Sequence, residues 1–216
     1  MTTLEPIAIF RSPLRTKFGL PQQAGLSPSL KGRVELLPPY NGPDATRGLE
    51  GFDRIWLIWG FNSRSDRLTV RPPRLGGNER LGVFATRSPF RPNPLGLSCV
   101  RLVKIRDGVL EVLGADLAEG TEIFDIKPYI PYADCHPDAK GGFTDTASWH
   151  GLEVIFNPEV NLTEEEKRVV SELLAQNPRP PYQDDPDRIY GLDYSEKKIR
   201  FKVRDGHAIV VSAEKY

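Results

Sequence analysis

The chain has little cysteine and little histidine: two of the former, Cys99 and Cys135, and three of the latter in 216 residues. Two cysteines cannot build the disulfide framework of a small secreted scaffold, and the adjacent Cys135-His136 pair has the wrong spacing for a zinc knuckle. No G-x-S-x-G elbow occurs, so none of His136, His150 and His207 gains a serine-hydrolase partner. The strings G-x-G-x-x-G and G-x-x-x-x-G-K-[ST] are also missing, which removes the Rossmann and P-loop readings; Leu75-Gly76-Gly77-Asn78 reads as a turn. The longest apolar run, Ile55 to Phe61, is too short to span a bilayer, and the first residues carry no secretory signal. These absences point to a soluble protein of the reducing cytoplasm. Net charge is missing too, with 29 Lys plus Arg against 29 Asp plus Glu, so any polyanionic partner must be met by a local patch.

Such a patch is present. Between Val70 and Cys99, Arg71, Arg74, Arg80, Arg87 and Arg91 face Glu79 alone, among many prolines and glycines. Arginine offers a planar fork of donors to phosphate or carboxylate, proline sets chain direction without an N–H, and glycine admits close backbone approach. The compensating acids lie elsewhere, including Glu164, Glu165, Glu166, Asp184, Asp185 and Asp187. A solvated surface loop would have a similar composition, but the strand-like LGVFAT in its middle argues for a built site.

Short β-branched and aromatic stretches separated by turn residues fill the first 156 residues and predict a mainly β fold, a sandwich or barrel. Strands are expected at 6–11, 33–37, 54–62, 80–85, 98–106, 109–115, 122–127 and 152–156, with a short helix after Pro43. Asp107-Gly108 marks a tight hairpin turn. From Asn161 the pattern changes: Thr163 and Glu166 form a capping-box signature, Val169, Val170, Leu173 and Leu174 follow at helical spacing, and Asn177-Pro178 ends the element. A proline- and acid-rich connection then leads to a second hairpin turning at Asp205-Gly206. The expected division is a mainly β domain over 1–156 and a small α+β domain over 157–216.

Two segments offer chemistry. Asn93 lies between Pro92 and Pro94, so its backbone is held extended and its amide is presented in a preset direction, unless Pro-Asn-Pro is only a rigid turn. In 115–134, Asp116 and Asp125 are carboxylates at adjacent strand ends, able to hold an amine or a hydroxyl or to act as a base. Asp125 has Lys127 and Tyr129 beside it, and a simple Asp125–Lys127 pair is the plainer alternative. Tyr129 and Tyr132 could stack on a base or merely pack.

Taken in order, FRSPL at 10–14, PPYN at 38–41, RGLEGFDRIWLIWGF at 47–61, the stretch 69–98 and DIKPYIPYAD at 125–134 closely resemble the TrmO family, also called TsaA-like or YaeB-like. NPRPPYQ at 177–183 resembles the C-terminal extension of its longer members, which makes 157–216 a candidate for tRNA binding. The resemblance implies an antiparallel β-barrel enzyme, working as a homodimer, that uses S-adenosylmethionine to methylate N6 of N6-threonylcarbamoyladenosine beside the tRNA anticodon. Carried over by position, the cofactor contacts fall at Pro21, Gln22 and Gln23, at Asn62 and Ser63 (His-Gln in some members), at Arg87, at Leu97, and at Leu117, Ala118, Glu119, Gly120 and Thr121. A sulfonium methyl is already activated, so alignment and loss of one proton are the main demands. Asn93 or Asp125 is then expected to contact the acceptor nitrogen, with Arg71, Arg74, Arg80 and Arg91 holding phosphates or the threonyl carboxylate and Lys127 and Tyr129 also binding the substrate. A non-catalytic β-barrel module that binds RNA or an anion is the alternative.

Overall fold

The structure is a computed structural model that describes residues 3–61, 64–72, 75, 79–147, 151–180 and 183–216. Its strands in chain order are β1 (Ala8–Arg11), β2 (Lys31–Leu36), β3 (Arg54–Gly60), β4 (Thr69–Val70), β5 (Leu81–Gly82), β6 (Leu95–Arg106), β7 (Val109–Leu113), β8 (Glu122–Pro128), β9 (Glu153–Phe156), β10 (Tyr190–Tyr194), β11 (Lys197–Arg204) and β12 (His207–Lys215). The α-helices are α1 (Pro131–Asp134), α2 (Phe143–Thr146) and α3 (Glu164–Leu174).

Six strands close an antiparallel barrel in the order β1-β2-β7-β6-β3-β8. Alternation along each strand sends one set of side chains inward, so Ala8, Phe10, Val34, Ile55, Leu57, Trp59, Val100, Leu110, Val112 and Ile123 fill a single core. The hairpin between β6 and β7 turns on Asp107 and Gly108, both at positive φ (50° and 74°), the pairing that a two-residue turn matched to strand twist requires.

A second core lies against the first. Strands β10-β11-β12-β9 form a sheet in which β9 runs parallel to β12. Helix α3 begins at its capping box, where the Glu166 N–H donates to Thr163 Oγ1 at 3.2 Å and the Thr163 N–H to Glu166 Oε2 at 2.8 Å. It buries Val169, Val170, Leu173 and Leu174 against that sheet.

Several expectations are corrected here. The stretch 80–85 holds only β5, which pairs with β4 outside the barrel before a 3-10 turn at Val83–Ala85. The helix expected after Pro43 is two 3-10 turns, Pro43–Thr46 and Leu49–Gly51, split by Gly48 at φ 86°. Strand β9 joins the C-terminal sheet, because Ile155 and Phe156 pair with Ile209 and Val210. Strand β10 lies at the end of the segment read only as a proline- and acid-rich connection. Leu14 and Leu30, from the segment joining β1 to β2, are buried in the C-terminal core with Phe18 and Leu20 packed against it, so the two cores do not divide the chain at one point.

Candidate functional site

One end of the barrel opens into a cleft of about 690 Å³, within the range of small-molecule sites. Four connections meet there: the β1–β2 segment through Pro21, Gln22 and Gln23; the end of β3 at Trp59, Gly60 and Phe61; the turn from Thr86 to Asn93 leading into Leu95, Gly96 and Leu97; and the strand-to-strand turn from Asp116 to Thr121. Gly96 is required at this place. A Cβ there would sit 2.3 Å from the Trp59 ring, so only glycine lets the indole lie flat on β6.

The floor is a hydrogen-bonded chain. Trp59 Nε1–H donates to Ser98 Oγ at 2.9 Å, and the Ser98 hydroxyl donates to Asp116 Oδ1 at 2.5 Å. Trp59 and Ser98 are buried, and the Phe61 ring packs on the indole at 4.3 Å between centroids. Burial pushes the Asp116 carboxyl above the usual aspartate range; Ser98, the backbone N–H groups of Asp116 and Ala24, and the nearby Arg87 charge hold it back in part. A carboxylate in this setting favours an incoming cation or a proton.

The rim is tied across the cleft. Arg87 donates from one guanidinium nitrogen to Gln23 Oε1 at 2.7 Å. Glu119 accepts from Arg11 at 3.0 Å and from the Ser12 N–H at 2.7 Å, which fixes the turn carrying Gly120 and Thr121. Arg91 lines the cleft but spends one nitrogen on the Thr86 and Ser88 carbonyls, 3.2 and 3.4 Å away, so it also shapes its own loop. Asn93 stands at the mouth, shared with a shallower concavity of Leu4, Pro94, Glu122 and Phe124.

The cleft thus gathers Pro21, Gln22, Gln23, Arg87, Arg91, Asn93, Leu97, Ala118, Glu119, Gly120 and Thr121. Leu117 is not among its lining, because its side chain is buried in the barrel core. Asp125, Lys127 and Tyr129 are not brought there either. Strand β8 runs away from the mouth: Asp125 pairs with Ile58, Lys127 with Trp56, and the Tyr129 N–H reaches the Arg54 carbonyl at the far end of β3. Asp125 and Lys127 form a half-exposed ion pair at 2.9 Å, and Tyr129 packs on Trp56. Arg71 follows β4 and Arg80 precedes β5, both exposed, on the small hairpin outside the cleft lining; Arg80 donates to Thr69 Oγ1 at 3.1 Å. Asn62, Ser63 and Arg74 lie outside the described residues.

Of the two carboxylates that sequence brings forward, the cleft holds Asp116, and its supports Ser98 and Trp59 were read only as strand residues. The signal available was position: Asp116 ends a strand run and opens the glycine-containing turn, whereas Asp125 lies inside one.

Fold and cleft together define a barrel with a small-molecule site at one open end, and the relatives give it a family. Residues 9–135 match the model of the tRNA-methyltransferase O N-terminal domain and residues 150–216 that of the TrmO C-terminal domain, so the chain belongs to the TrmO family. It is 42% identical to the tRNA (adenine(37)-N6)-methyltransferase of Escherichia coli, over 97% of each chain. It is also 42% identical to a putative S-adenosylmethionine-dependent methyltransferase, RcsF, of Pseudomonas aeruginosa, covering 88% of this chain and 87% of that one. A crystal structure of TrmO from P. aeruginosa superposes with a TM-score of 0.84 at 34% identity, covering 100% of this chain and 98% of the other.

Proposed function

We propose that the protein is an S-adenosylmethionine-dependent tRNA (adenine-N6) methyltransferase whose acceptor is N6 of N6-threonylcarbamoyladenosine next to the anticodon. The observation that carries this reading is the convergence of Pro21–Gln23, Arg87, Leu97 and Ala118–Thr121 around Asp116 at the barrel mouth, with Asn93 at its edge. The cleft fits the cofactor: Leu20, Leu95, Leu97 and Phe61 supply apolar wall, the Gly120-Thr121 turn supplies backbone, and Asp116 supplies negative charge toward a cationic group. When bound, S-adenosylmethionine supplies a methyl group already activated on a sulfonium.

The residues of the chain then have three tasks. Pro21, Gln22, Gln23, Arg87, Leu97, Ala118, Glu119, Gly120 and Thr121 hold and orient the donor, which by alignment alone is worth up to roughly 7–11 kcal/mol in favourable cases. Asn93 holds the acceptor nitrogen, whose lone pair is delocalised into both the purine and the ureido carbonyl. Methylation at N6 displaces one proton, and Asp116 replaces Asp125 as its acceptor, because Asp116 lies in the cleft and Asp125 is paired with Lys127 away from it. The exposed arginines, Arg71 and Arg80 among them, hold tRNA phosphates or the threonyl carboxylate.

The reading extends to a homodimer working in the cytoplasm. Leu68 and Phe84, 78% and 80% exposed beside the arginine hairpin, give a surface for two copies to bury. Light scattering on the eluting protein is expected to give twice the chain mass.

The deciding experiment incubates purified protein, S-adenosylmethionine and tRNA carrying threonylcarbamoyladenosine, and measures a 14 Da gain on that nucleoside by mass spectrometry, one added methylene. Asn93→Ala is expected to lower turnover at least tenfold with cofactor affinity unchanged. Wild-type turnover in that variant removes Asn93 from the mechanism. Absence of cofactor binding by the wild-type chain, with tRNA still bound, returns the protein to an RNA-binding barrel.

A further inference from the structure

We infer that the C-terminal region supports the cofactor cleft from behind, and that Gln176 is a positioning residue which holds the cofactor-facing rim in place through Gln22. The inference rests on the cofactor reading of the cleft, and concerns what builds that cleft.

The segment between β1 and β2 carries the rim residues Pro21, Gln22 and Gln23 without regular structure of its own over 12–30. A strand-free segment of that length keeps a defined shape only if its backbone is held from outside. The holding comes from two directions. On the barrel side, Arg87 donates to the Gln23 side chain and the Gly25 N–H to the Gly114 carbonyl at 2.8 Å. On the other side the support is the C-terminal end of α3. The Gln22 N–H donates to Gln176 Oε1 at 3.0 Å, and Gln22 Nε2 donates to the Gln176 carbonyl at 3.3 Å.

Gln176 is built for this. Its side chain is 4% exposed, and its Nε2 donates to Ser27 Oγ and to the Glu172 carbonyl, each at 3.0 Å. Both amide hydrogens and the amide oxygen therefore have partners, so the amide has one orientation, with its oxygen toward Gln22. One turn back along α3, Glu172 accepts from the Ser29 N–H at 2.9 Å and from Ser29 Oγ at 2.7 Å. Leu14, Phe18, Leu20 and Leu30 pin the flanks of the segment into the C-terminal core. The rim thus belongs to the barrel by sequence and to the C-terminal core by packing. A domain that served only to hold tRNA would have no need to bury a polar amide under the donor site.

The test separates position from stability. Gln176→Met keeps the volume and removes the amide; Ser27→Ala removes only the hydroxyl that orients it. Thr163→Ala weakens α3 at its opposite end without touching Gln176 or the rim. For each variant, the dissociation constant for S-adenosylmethionine is measured by calorimetry, together with KM for cofactor and for tRNA and the melting temperature. Gln176→Met is expected to raise both the dissociation constant and KM for the cofactor about tenfold, the scale of one lost buried hydrogen-bonded support, with KM for tRNA within twofold. Ser27→Ala is expected to move the same two constants in the same direction by less. Thr163→Ala is expected to lower only the melting temperature. Should Gln176→Met not fold, Ser27→Ala against Thr163→Ala decides. Unchanged cofactor affinity in Gln176→Met or Ser27→Ala, an equal rise in Thr163→Ala, or a rise in KM for tRNA alone overturns the inference. Failure of the wild-type chain to bind the cofactor would instead remove the reading on which it rests.

Discussion

Asp116 is placed where folding gains little from it. Burial disfavours its charge, and its hydrogen-bond donors, Ser98 and backbone N–H groups, offset that cost only in part. A carboxyl whose pKa is raised on folding binds its proton more tightly in the native state. Its ionised form therefore costs stability above the native pKa and costs none below the unfolded value. Asp116→Asn is accordingly expected to leave the melting temperature at pH 7 unlowered while reducing turnover about 10²- to 10⁴-fold, the usual weight of a positioned base. The pH profile distinguishes this from simple damage. The acid limb of wild-type activity should lie above the ordinary aspartate value and vanish in Asp116→Asn; an acid limb that survives at the same pH rules Asp116 out as proton acceptor. Gly96 belongs to the same scale, since its missing side chain is what seats Trp59 over Ser98.

Elements were legible from sequence to the degree that their signals were local. The Asp-Gly turns at 107–108 and 205–206, the capping box at Thr163 and the apolar spacing of α3 are written within a few residues, and each has the expected geometry. The cofactor rim came from the resemblance, whereas Asn93 was legible from the prolines on either side of it; the cleft lining includes Asn93 and the rim residues other than Leu117, with Asn62 and Ser63 outside the described residues. What was not legible depends on partners far along the chain. β9 looks like any short strand, and only its parallel partner β12 assigns it to the second sheet. The misplacement of Asp125 has the same origin, because a strand's direction relative to the barrel mouth is set by its neighbours. The capping box gives a test at this scale. Burial by itself would raise the Glu166 carboxyl, but the Lys197 ammonium at 2.8 Å and the Thr163 N–H outweigh it and hold the carboxyl below its usual value. A depressed pKa contributes stability that is complete above the unfolded value and is lost as pH falls through the folded one. Glu166→Gln is expected to lower the melting temperature by about 2–4 °C near pH 7, the scale of about 1 kcal/mol in a chain of this size. The difference should shrink as the pH drops below 4.5, the ordinary glutamate value. A difference independent of pH would mean that the ion pair contributes nothing.

For the whole molecule the governing fact is that a zero net charge is unevenly spread. Glu164 and Glu165 lie on α3 and Asp184, Asp185 and Asp187 in the segment before β10, while the hairpin of β4 and β5 carries exposed Arg71 and Arg80 outside the barrel. Arg67 lies over the Phe90 ring at the cleft edge, 5.8 Å from its centroid, so cationic surface continues from the hairpin to the site. A globally neutral protein gains little long-range pull on a polyanion, so affinity for tRNA is expected to come from phosphate contacts with this surface. Each such contact releases counterions and steepens the fall of binding with salt by about 0.7–0.9 in the logarithmic slope. The double variant Arg71→Ala, Arg80→Ala is therefore expected to weaken tRNA binding several-fold at low salt and to make the slope shallower by about 1–2, with cofactor affinity unchanged because neither residue lines the cleft. Filter binding of tRNA across a salt series, beside cofactor calorimetry, measures both. An unaltered slope would show that the hairpin does not touch phosphate. A loss of cofactor affinity would show that the arginine hairpin, like the C-terminal core, supports the rim of the cleft.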